Sequence, residues 1–356
     1  MPEVPTIAVE DPAVIRRVGS AGDLDWDAGL AGCPAATFFH GAAWAAVLRD
    51  TYGFKPRYFV RREAGRVTAL LPVMEVDSWL TGRRGVALPF TDECQPICGD
   101  AASFPRLCAE AVQYAKFRHW RYLEIRGGRE LLGNSPASES FLVHRLDLRR
   151  TGAALFSGVD SSVRRAVRKA EKSGLAVEFS QNLEDIRAFF LLLRKTRKRH
   201  GVPPQPFRFF QEIHRHILSR NQGWVVLARA GGTPVAGAVF LRFGKTITYK
   251  YGASDAAFQH LRANNLVLWR AISRFALEGF EALDLGRTSC GNEGLRRYKL
   301  GWGAREQRLD YMRLGGRGGG LAAPRGSLSR HCARLFKVLP DPLLGLIGAT
   351  LHKHVA

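Results

Sequence analysis

The sequence predicts an α/β (α+β) protein built of two similar units in tandem, each a mixed, mainly antiparallel sheet flanked by helices. Three observations predict it. The chain has 356 residues, too many for one ordinary domain. Hydrophobic residues make up 46% and charged residues 24%, the balance of a globular protein with a sizeable core. One succession also occurs in both halves: an apolar hairpin, an amphipathic helix, an aromatic turn, and a strand of apolar-acid-apolar pattern.

The elements follow in order. RYFVRR (57–62) and VTALLPVMEV (67–76) read as a hairpin across Glu63-Ala64-Gly65-Arg66. A helix over about 103–118 runs into the strand RYLEIR at 121–126. A joint near 148–158 separates the halves. The second half opens on SSVRRAVRKAEKSGL (161–175), a basic helix. Arg164, Arg168 and Lys172 recur every four residues and share one face, with Arg165 and Lys169 beside them. Val163, Ala166, Val167 and Ala170 give the opposite face something to bury. Asp160 or Ser161 can cap its start, and Gly174 ends it. The next helix, 183–200, ends in RKTRKRH, whose charges complement the helix dipole. Strands 223–230 and 234–243 pair across Gly231-Gly232-Thr233, and a third strand, 246–252, follows Gly244-Lys245. A helix from about Asn265 to Leu277 stops at Gly279. Strand 281–286, a short basic helix carrying Tyr298 and Lys299, the turn Gly301-Trp302-Gly303 and strand 305–314 complete the unit. AEAVQYAKFRHWRYLEIRG and WRAISRFALEGFEALDLGR are the repeated helix-turn-strand step, their acidic strands 160 residues apart. The boundaries are therefore 1–150, 151–314, and a tail of 315–356 that begins with the flexible GGRGGG.

Composition narrows the function. No uncharged apolar run approaches the roughly 18 residues a membrane span needs. The N-terminal MPEVPTIAVEDP has neither the basic region nor the apolar stretch of a secretory signal. Six scattered cysteines without zinc spacing fit a reduced, cytosolic chain with inert thiols. The net charge of +21 attracts phosphate, whether on nucleic acid, an anionic membrane face or a substrate; a general bias toward arginine is the other account. The charge is uneven. Residues 161–220 carry 14 Lys/Arg against 5 Asp/Glu, and 313–356 carry 7 against 1.

Four stretches carry a family resemblance: SSVRRAVRKAEKSGL (161–175), YKYGAS (249–254), NNLVLWRAISRFALEGFEALDLG (264–286) and GLRRYKLGWGA (294–304), with a weaker match in LPFTDECQPICGD (88–100). The order of elements resembles the GNAT acyltransferase fold. Two such units in tandem resemble the Fem-type family, which adds amino acids to peptidoglycan precursors, over about 35–356. The tail resembles members linked to exosortase and exopolysaccharide gene clusters. The resemblance implies an N-acyltransferase that moves an acyl or aminoacyl group onto an amine of a cell-envelope polysaccharide or peptidoglycan-type precursor. It implies acyl-CoA or aminoacyl-tRNA as donor, an anionic, phosphate-bearing or lipid-linked acceptor, and a cytoplasmic site of action, peripheral to the inner membrane face. The rival reading is a non-catalytic binding module for nucleic acid or another anionic polymer.

Acyl transfer to an amine needs an unprotonated amine, a polarised carbonyl and an aligned donor. Lys299 could give positive charge to a phosphate or to the developing oxyanion, and the resemblance implies a place beside the donor's acyl end; a solvated lysine on a basic helix is the other account. Tyr251, at a strand end before Gly252, could orient a substrate or simply fill core. Asp284 alternates with Leu283 and Leu285 and could act as base or anchor Arg287 or a loop amide. Asp92, with Glu93, is the other candidate base, in the loop after Pro89-Phe90. Arg287 and the helix residues Arg164, Arg165, Arg168 and Lys172 suit an anionic acceptor, or form a solvated face. Acyl-CoA enzymes of this fold open the helix after the third strand with a glycine-rich turn. FQHLRANNLVLW (258–269) has no glycine, which leaves Arg262, Asn264 and Asn265, with His260, to hold phosphate by side chains. The donor stays open between CoA and tRNA. His214 and His216 alternate on a helix, a poor geometry for metal, and no metal is expected. Leu339, Leu343, Leu344, Ile347 and Leu351 of the tail could meet a membrane face or dock on the protein's own core.

Overall fold

The computed structural model describes residues 16–18, 26–30, 33, 35–63, 66–100, 102–131, 133, 136–315 and 330–354. The first half contributes β1 (Arg16–Val18), α1 (Trp26–Leu30), α2 (Ala42–Tyr52), β2 (Lys55–Pro56), β3 (Tyr58–Glu63) and β4 (Arg66–Leu71). After these come β5 (Met74–Val76), β6 (Arg84–Val86), β7 (Ile97–Cys98), α3 (Ser103–Phe117), β8 (Leu123–Arg126) and β9 (Glu139–Asp147). The second half runs through α4 (Gly152–Ser157), α5 (Ser161–Glu171), β10 (Ala176–Ser180), α6 (Leu183–Arg199), α7 (Phe207–His216) and β11 (Gly223–Ala230). It continues with β12 (Thr233–Phe243), β13 (Thr246–Ser254), α8 (Ala263–Leu277), β14 (Ala282–Ser289), α9 (Glu293–Leu300) and β15 (Arg305–Leu314). Helices α10 (Arg330–Val338) and α11 (Asp341–His354) follow.

Eleven strands form one sheet in the order β10-β11-β12-β13-β14-β9-β15-β8-β6-β5-β2. All its pairings are antiparallel except β13 with β14 and β6 with β8. The β11–β12 hairpin closes over Gly231 and Gly232, both at positive φ (52° and 80°), as a two-residue primed turn requires. Apolar side chains cover the sheet on both faces. On one face α2, α6 and α7 pack Trp44, Phe189, Phe209 and Tyr251 together. On the other, α5 and α8 pack Val167, Ile272 and Phe275 beside Trp302. A third cluster lies under α3, around Leu107, Ala111 and Trp120. Truncating a ring buried as fully as Trp44 costs about 3–5 kcal/mol.

Three expectations are corrected. The stretch 67–76 is not one strand. It breaks at Pro72, which has no N–H to donate, and its two pieces join different sheets. Consequently the first hairpin, β3–β4, belongs to a separate four-stranded sheet (β1-β3-β4-β7), whereas β11–β12 lies in the large one. The halves are alike in the step from helix to acidic strand (α3 to β8, α8 to β14) and differ in their hairpins. Thirdly, an edge strand, β10, stands between α5 and α6, where no strand is expected; its five residues alternate, Val177 and Phe179 packing inward and Ala176 and Glu178 facing out, but the run is too short to stand out between two helices.

The tail packs back on the protein. Leu344, Gly348 and His354 of α11 are buried, and a Cβ on Gly348 would stand 1.9 Å from the Pro204 carbonyl oxygen. The His354 carbonyl accepts hydrogen bonds from Thr81 Oγ1 and Arg84 Nη2, each at 2.7 Å, and its ring lies 3.0 Å from Ser78 Oγ. At its other end Lys198 Nζ lies 2.8 Å from Asp341. The helix thus touches both halves. Apart from Gly315, the GGRGGG segment lies outside the described residues, as does the N-terminal stretch.

Candidate active site

The large sheet opens where β13 and β14 meet. They pair in parallel from Thr246↔Ala282 to Thr248↔Asp284 and then part. Each strand carries one extra residue at that point. On β13 the register against β12 jumps from Phe240↔Tyr249 to Val239↔Tyr251, leaving Lys250 without a partner across the ladder. The phase changes with it. Tyr249 packs on the α8 side of the sheet, and Tyr251 on the side of α2 and α7. On β14 the register against β9 jumps from Asp284↔Arg145 to Arg287↔Val143, with Gly286 between them at φ 70°.

Into this gap reaches the loop 88–96. Leu88 and Phe90 hold positive φ values, 45° and 59°, which cost a side-chain-bearing residue of order 1 kcal/mol or more each. The buried Arg126 holds the loop by donating to the carbonyls of Leu88 and Thr91, both at 3.1 Å. Its tip places Asp92 Oδ2 3.7 Å from Lys250 Nζ and Asp92 Oδ1 3.5 Å from Arg287 Nε. A Cβ on Gly286 would sit 2.7 Å from Asp92 Oδ2, so only glycine lets the carboxylate approach.

Lys299 reaches the same place from α9. Its Nζ donates to the Gly286 carbonyl at 2.8 Å and to the Arg287 carbonyl at 3.0 Å. The bulge on β14 interrupts the ladder there, and the lysine supplies those oxygens with donors. Burial lowers its ammonium to about 8, against the opposing pull of Asp92 and Asp284. Burial also raises the Asp284 carboxyl, although Asp284 Oδ1 accepts the Gly286 N–H at 2.7 Å. Lys250 is pushed down by burial, with Asp92 opposing. Its ammonium lies 5.0 Å from the Phe39 ring centroid, 5.5 Å from Trp44 and 5.4 Å from Tyr251. Arg287 lies over Phe141 at 4.2 Å and donates to the Tyr311 hydroxyl at 2.8 Å. Glu93 is paired with Arg145, and burial raises its carboxyl. Lys250, Lys299 and Arg287 therefore share the gap with Asp92 and Asp284; Lys299 and Asp284 are buried, while Arg287 and Asp92 keep part of their surface.

A cavity of about 430 Å³ lies on the α8 side, at the start of that helix. Arg262, Asn264 and Asn265 line it, with Tyr249 and Gly252 from β13 and Tyr298 from α9. Arg262 stands at φ 57°, and no side chain caps α8, so its first amides are available to an anion. A Cβ on Gly252 would meet the Tyr249 hydroxyl at 1.7 Å, so the phenol presses its hydroxyl end against bare backbone. A second cavity, about 460 Å³, shares Arg262, Asn265 and Tyr298 and adds Arg165 and Lys169 of α5.

The structure thus gathers Asp92, Asp284, Arg287 and Lys299 at the gap, and Arg262, Asn264 and Asn265 at the cavity. Tyr251 touches Lys250 and is packed between Phe209 and Phe210. The face of Arg164, Arg168 and Lys172 lies elsewhere. Arg164 donates to the carbonyls of Ser157 and Val159, Arg168 lies over Phe156 at 5.7 Å, and Lys172 is exposed past the helix end. Burial of Val167 and Ala170 fixes the rotation of α5 and turns Arg165 and Lys169 toward the cavity instead. Lys250 escaped the sequence reading; its one signal is a lysine between two tyrosines in an apolar strand. Among the described residues Asp50, Glu212 and His216 could hold a metal ion, their ligand atoms lying within 4.8 Å of one another. Arg49, Arg208 and Arg215 already pair with those carboxylates, so the group reads as an ion-pair network joining α2 to α7.

Residues 157–305 match the family model described as the acetyltransferase (GNAT) domain. No curated protein sequence matches the chain significantly. Several solved structures share its fold. FemX is 14% identical, with a TM-score of 0.64 over 80% of this chain and 94% of that one. The C-terminal domain of a putative lysylphosphatidylglycerol synthetase from Agrobacterium fabrum is 14% identical, with a TM-score of 0.54 over 78% and 89%. A tandem GNAT protein from the clavulanic acid biosynthesis pathway is 13% identical, with a TM-score of 0.53 over 84% and 97%. At such identities the likeness speaks for the fold. Together with the matched domain, which spans the cavity and the strand gap, it makes this chain an acyltransferase of GNAT-like architecture.

Proposed function

We propose that the protein is a Fem-type N-acyltransferase that moves an acyl or aminoacyl group onto an amine of a phosphate-bearing cell-envelope precursor. One juxtaposition carries the reading: β13 gives Tyr249 and Gly252 to the wall of a cavity that Arg199 and Arg262 also line, and a residue between those two wall positions on the same strand, Lys250, lies 3.7 Å from the Asp92 carboxylate at the gap. The donor's phosphates lie against Arg262, Asn264, Asn265 and the amides of α8, and the basic cavity beyond, with Arg165 and Lys169, accommodates its distal phosphate. Its ester or thioester carbonyl then reaches the gap. The acceptor amine approaches past Asp92, gives up a proton to a carboxylate, and attacks the carbonyl directly. A C–N bond forms, the C–O or C–S bond breaks, and the leaving oxygen or sulfur takes a proton. The charges of Lys250 and Lys299 stabilise the oxyanion between those events. The shared fold with a lysylphosphatidylglycerol synthetase domain fits a lipid-linked acceptor, and that with a tandem GNAT protein, whose description names acetyl-CoA, fits a CoA donor.

Ligand protection tests this. Acetyl-CoA and a panel of aminoacyl-tRNAs are added separately, and unfolding is followed by temperature. One class should protect, by about 2.7 kcal/mol when present at a hundredfold excess over its dissociation constant. Arg262→Ala should weaken that protection, and Asp92→Asn should keep it while abolishing transfer. Failure of both classes to protect would sink the reading.

A further inference from the structure

The turn at 77–82 shows a tryptophan to solvent without any evident need. Trp79 is 84% exposed and Leu80 53% exposed, whereas the other tryptophans with described side chains are buried or half-buried. The turn itself is firmly braced. The Gly82 N–H donates to the Ser78 carbonyl at 2.8 Å, and the Thr81 N–H to Ser78 Oγ at 2.9 Å. From outside, Arg121 donates to the Thr81 carbonyl at 3.0 Å, and the end of α11 closes on Thr81 and Arg84. A rigid backbone thus presents two apolar side chains outward. A third is close by: Phe117 is 74% exposed, and the next residue, Arg118, has its carbonyl bonded by Arg83 at 3.2 Å. Along α11, Leu343, Leu346 and Lys353 are exposed on one helix stripe, which ends at the turn, where the His354 ring lies 5.4 Å from Trp79. The surrounding charge is mostly positive: Arg83, Lys116, Arg121 and Lys353 stand near the turn, with Asp77 taken up by Arg83 at 2.8 Å.

We infer that this end of the molecule docks on an anionic lipid surface. Trp79, Leu80 and Phe117 enter the interfacial layer, and the cations around them meet lipid phosphates. An indole suits that depth because its body is apolar and its N–H remains wet. Exposed apolar groups at the centre and cations at the rim fit an anionic bilayer, and the net charge of +21 strengthens the attraction. A protein partner would more naturally carry acidic side chains to meet the rim; a second copy of this cationic chain would be repelled by it. The inference stands apart from the acyl-transfer reading, and its failure leaves that reading untouched.

Flotation with unilamellar vesicles tests it, on the full chain in low salt. Vesicles of equal parts phosphatidylglycerol and phosphatidylcholine should carry the protein up the gradient, and vesicles of phosphatidylcholine alone should not. Trp79→Ser/Leu80→Ser should lower the partition coefficient at least about tenfold, since two apolar side chains no longer leave water. Lys116→Glu/Lys353→Glu changes only exposed positions and should weaken binding to the anionic vesicles alone. Unchanged melting temperatures show that both variants are folded. Equal flotation of the apolar variant and the native chain overturns the inference. So does a concentration-dependent dimer, seen by sedimentation, that the apolar variant dissolves.

Discussion

At Lys299 burial and hydrogen bonding pull in opposite directions. The unfolded chain holds this proton near 10.5 and the folded chain releases it at about 8. Below pH 8 both states carry the charge, and the desolvation penalty is present in full. As pH rises from about 8 toward 10.5 the unfolded state binds more protons, so stability rises across that window. Urea unfolding at about pH 7.5 and about pH 9.5 should show the native chain gaining about 2 kcal/mol relative to Lys299→Met, whose own stability lacks that slope. The substitution also leaves the Gly286 and Arg287 carbonyls without their donor, a constant cost of about 1–3 kcal/mol. Among single residues, legibility followed chemistry that has a spacing. The Tyr298-Lys299 motif stood out because it leads into the Gly301-Trp302-Gly303 turn, and Arg262–Asn265 because the stretch has no glycine where backbone amides would hold phosphate. Lys250 did not, because its place depends on a bulge, and nothing in TITYKYG announces where the ladder will skip. Neither could the sequence say that Asp92, some 190 residues before Asp284, would arrive beside it.

The strands on either side of the gap behave as paired walls. On β13 the Tyr249 hydroxyl can reach the backbone at 252 only because that position bears no side chain. Gly252→Ala should therefore push the phenol into the cavity, cost about 1–3 kcal/mol in thermal unfolding, and reduce the protection given by the donor. A variant that loses stability but keeps its protection would show that Tyr249 moves away from the cavity instead. At this scale the second half was read well. Strand 223–230 and strand 305–314 stand where their patterns put them, since the Gly231-Gly232 turn ends the first and the Gly301-Trp302-Gly303 turn precedes the second. The first half was read less well. The run 67–76 is apolar except for Thr68 and Glu75, and only Pro72 hints that it turns from one sheet into another. Edge strand β10 does alternate, Val177 and Phe179 inward, but five residues between two helices give that period too little length to show.

For the whole molecule, α11 is a clasp. It rests on Pro204 in the second half and ties its last residues to Thr81 and Arg84 in the first. Gly348→Val should force the helix off Pro204 and lower stability by about 1–3 kcal/mol or more, read as a lower melting temperature, while donor protection is retained because Gly348 and Pro204 line neither cavity. Tandem architecture was visible as a repeated helix-turn-strand step, and the matched domain and solved structures agree with it. Sharing of one sheet by both halves was not visible, for strand pairing across so long a separation leaves no local pattern. That sharing has a consequence for how the chain is made. β9 and β8 lie on either side of β15, which follows β9 by more than 150 residues. A ribosome adding about 5–20 residues per second needs on the order of ten seconds to bridge that distance. Until then the nascent first half displays open hydrogen-bonding edges to its neighbours. Its yield in the cell will depend on what shields those edges in the interval, more than on the stability of the finished protein.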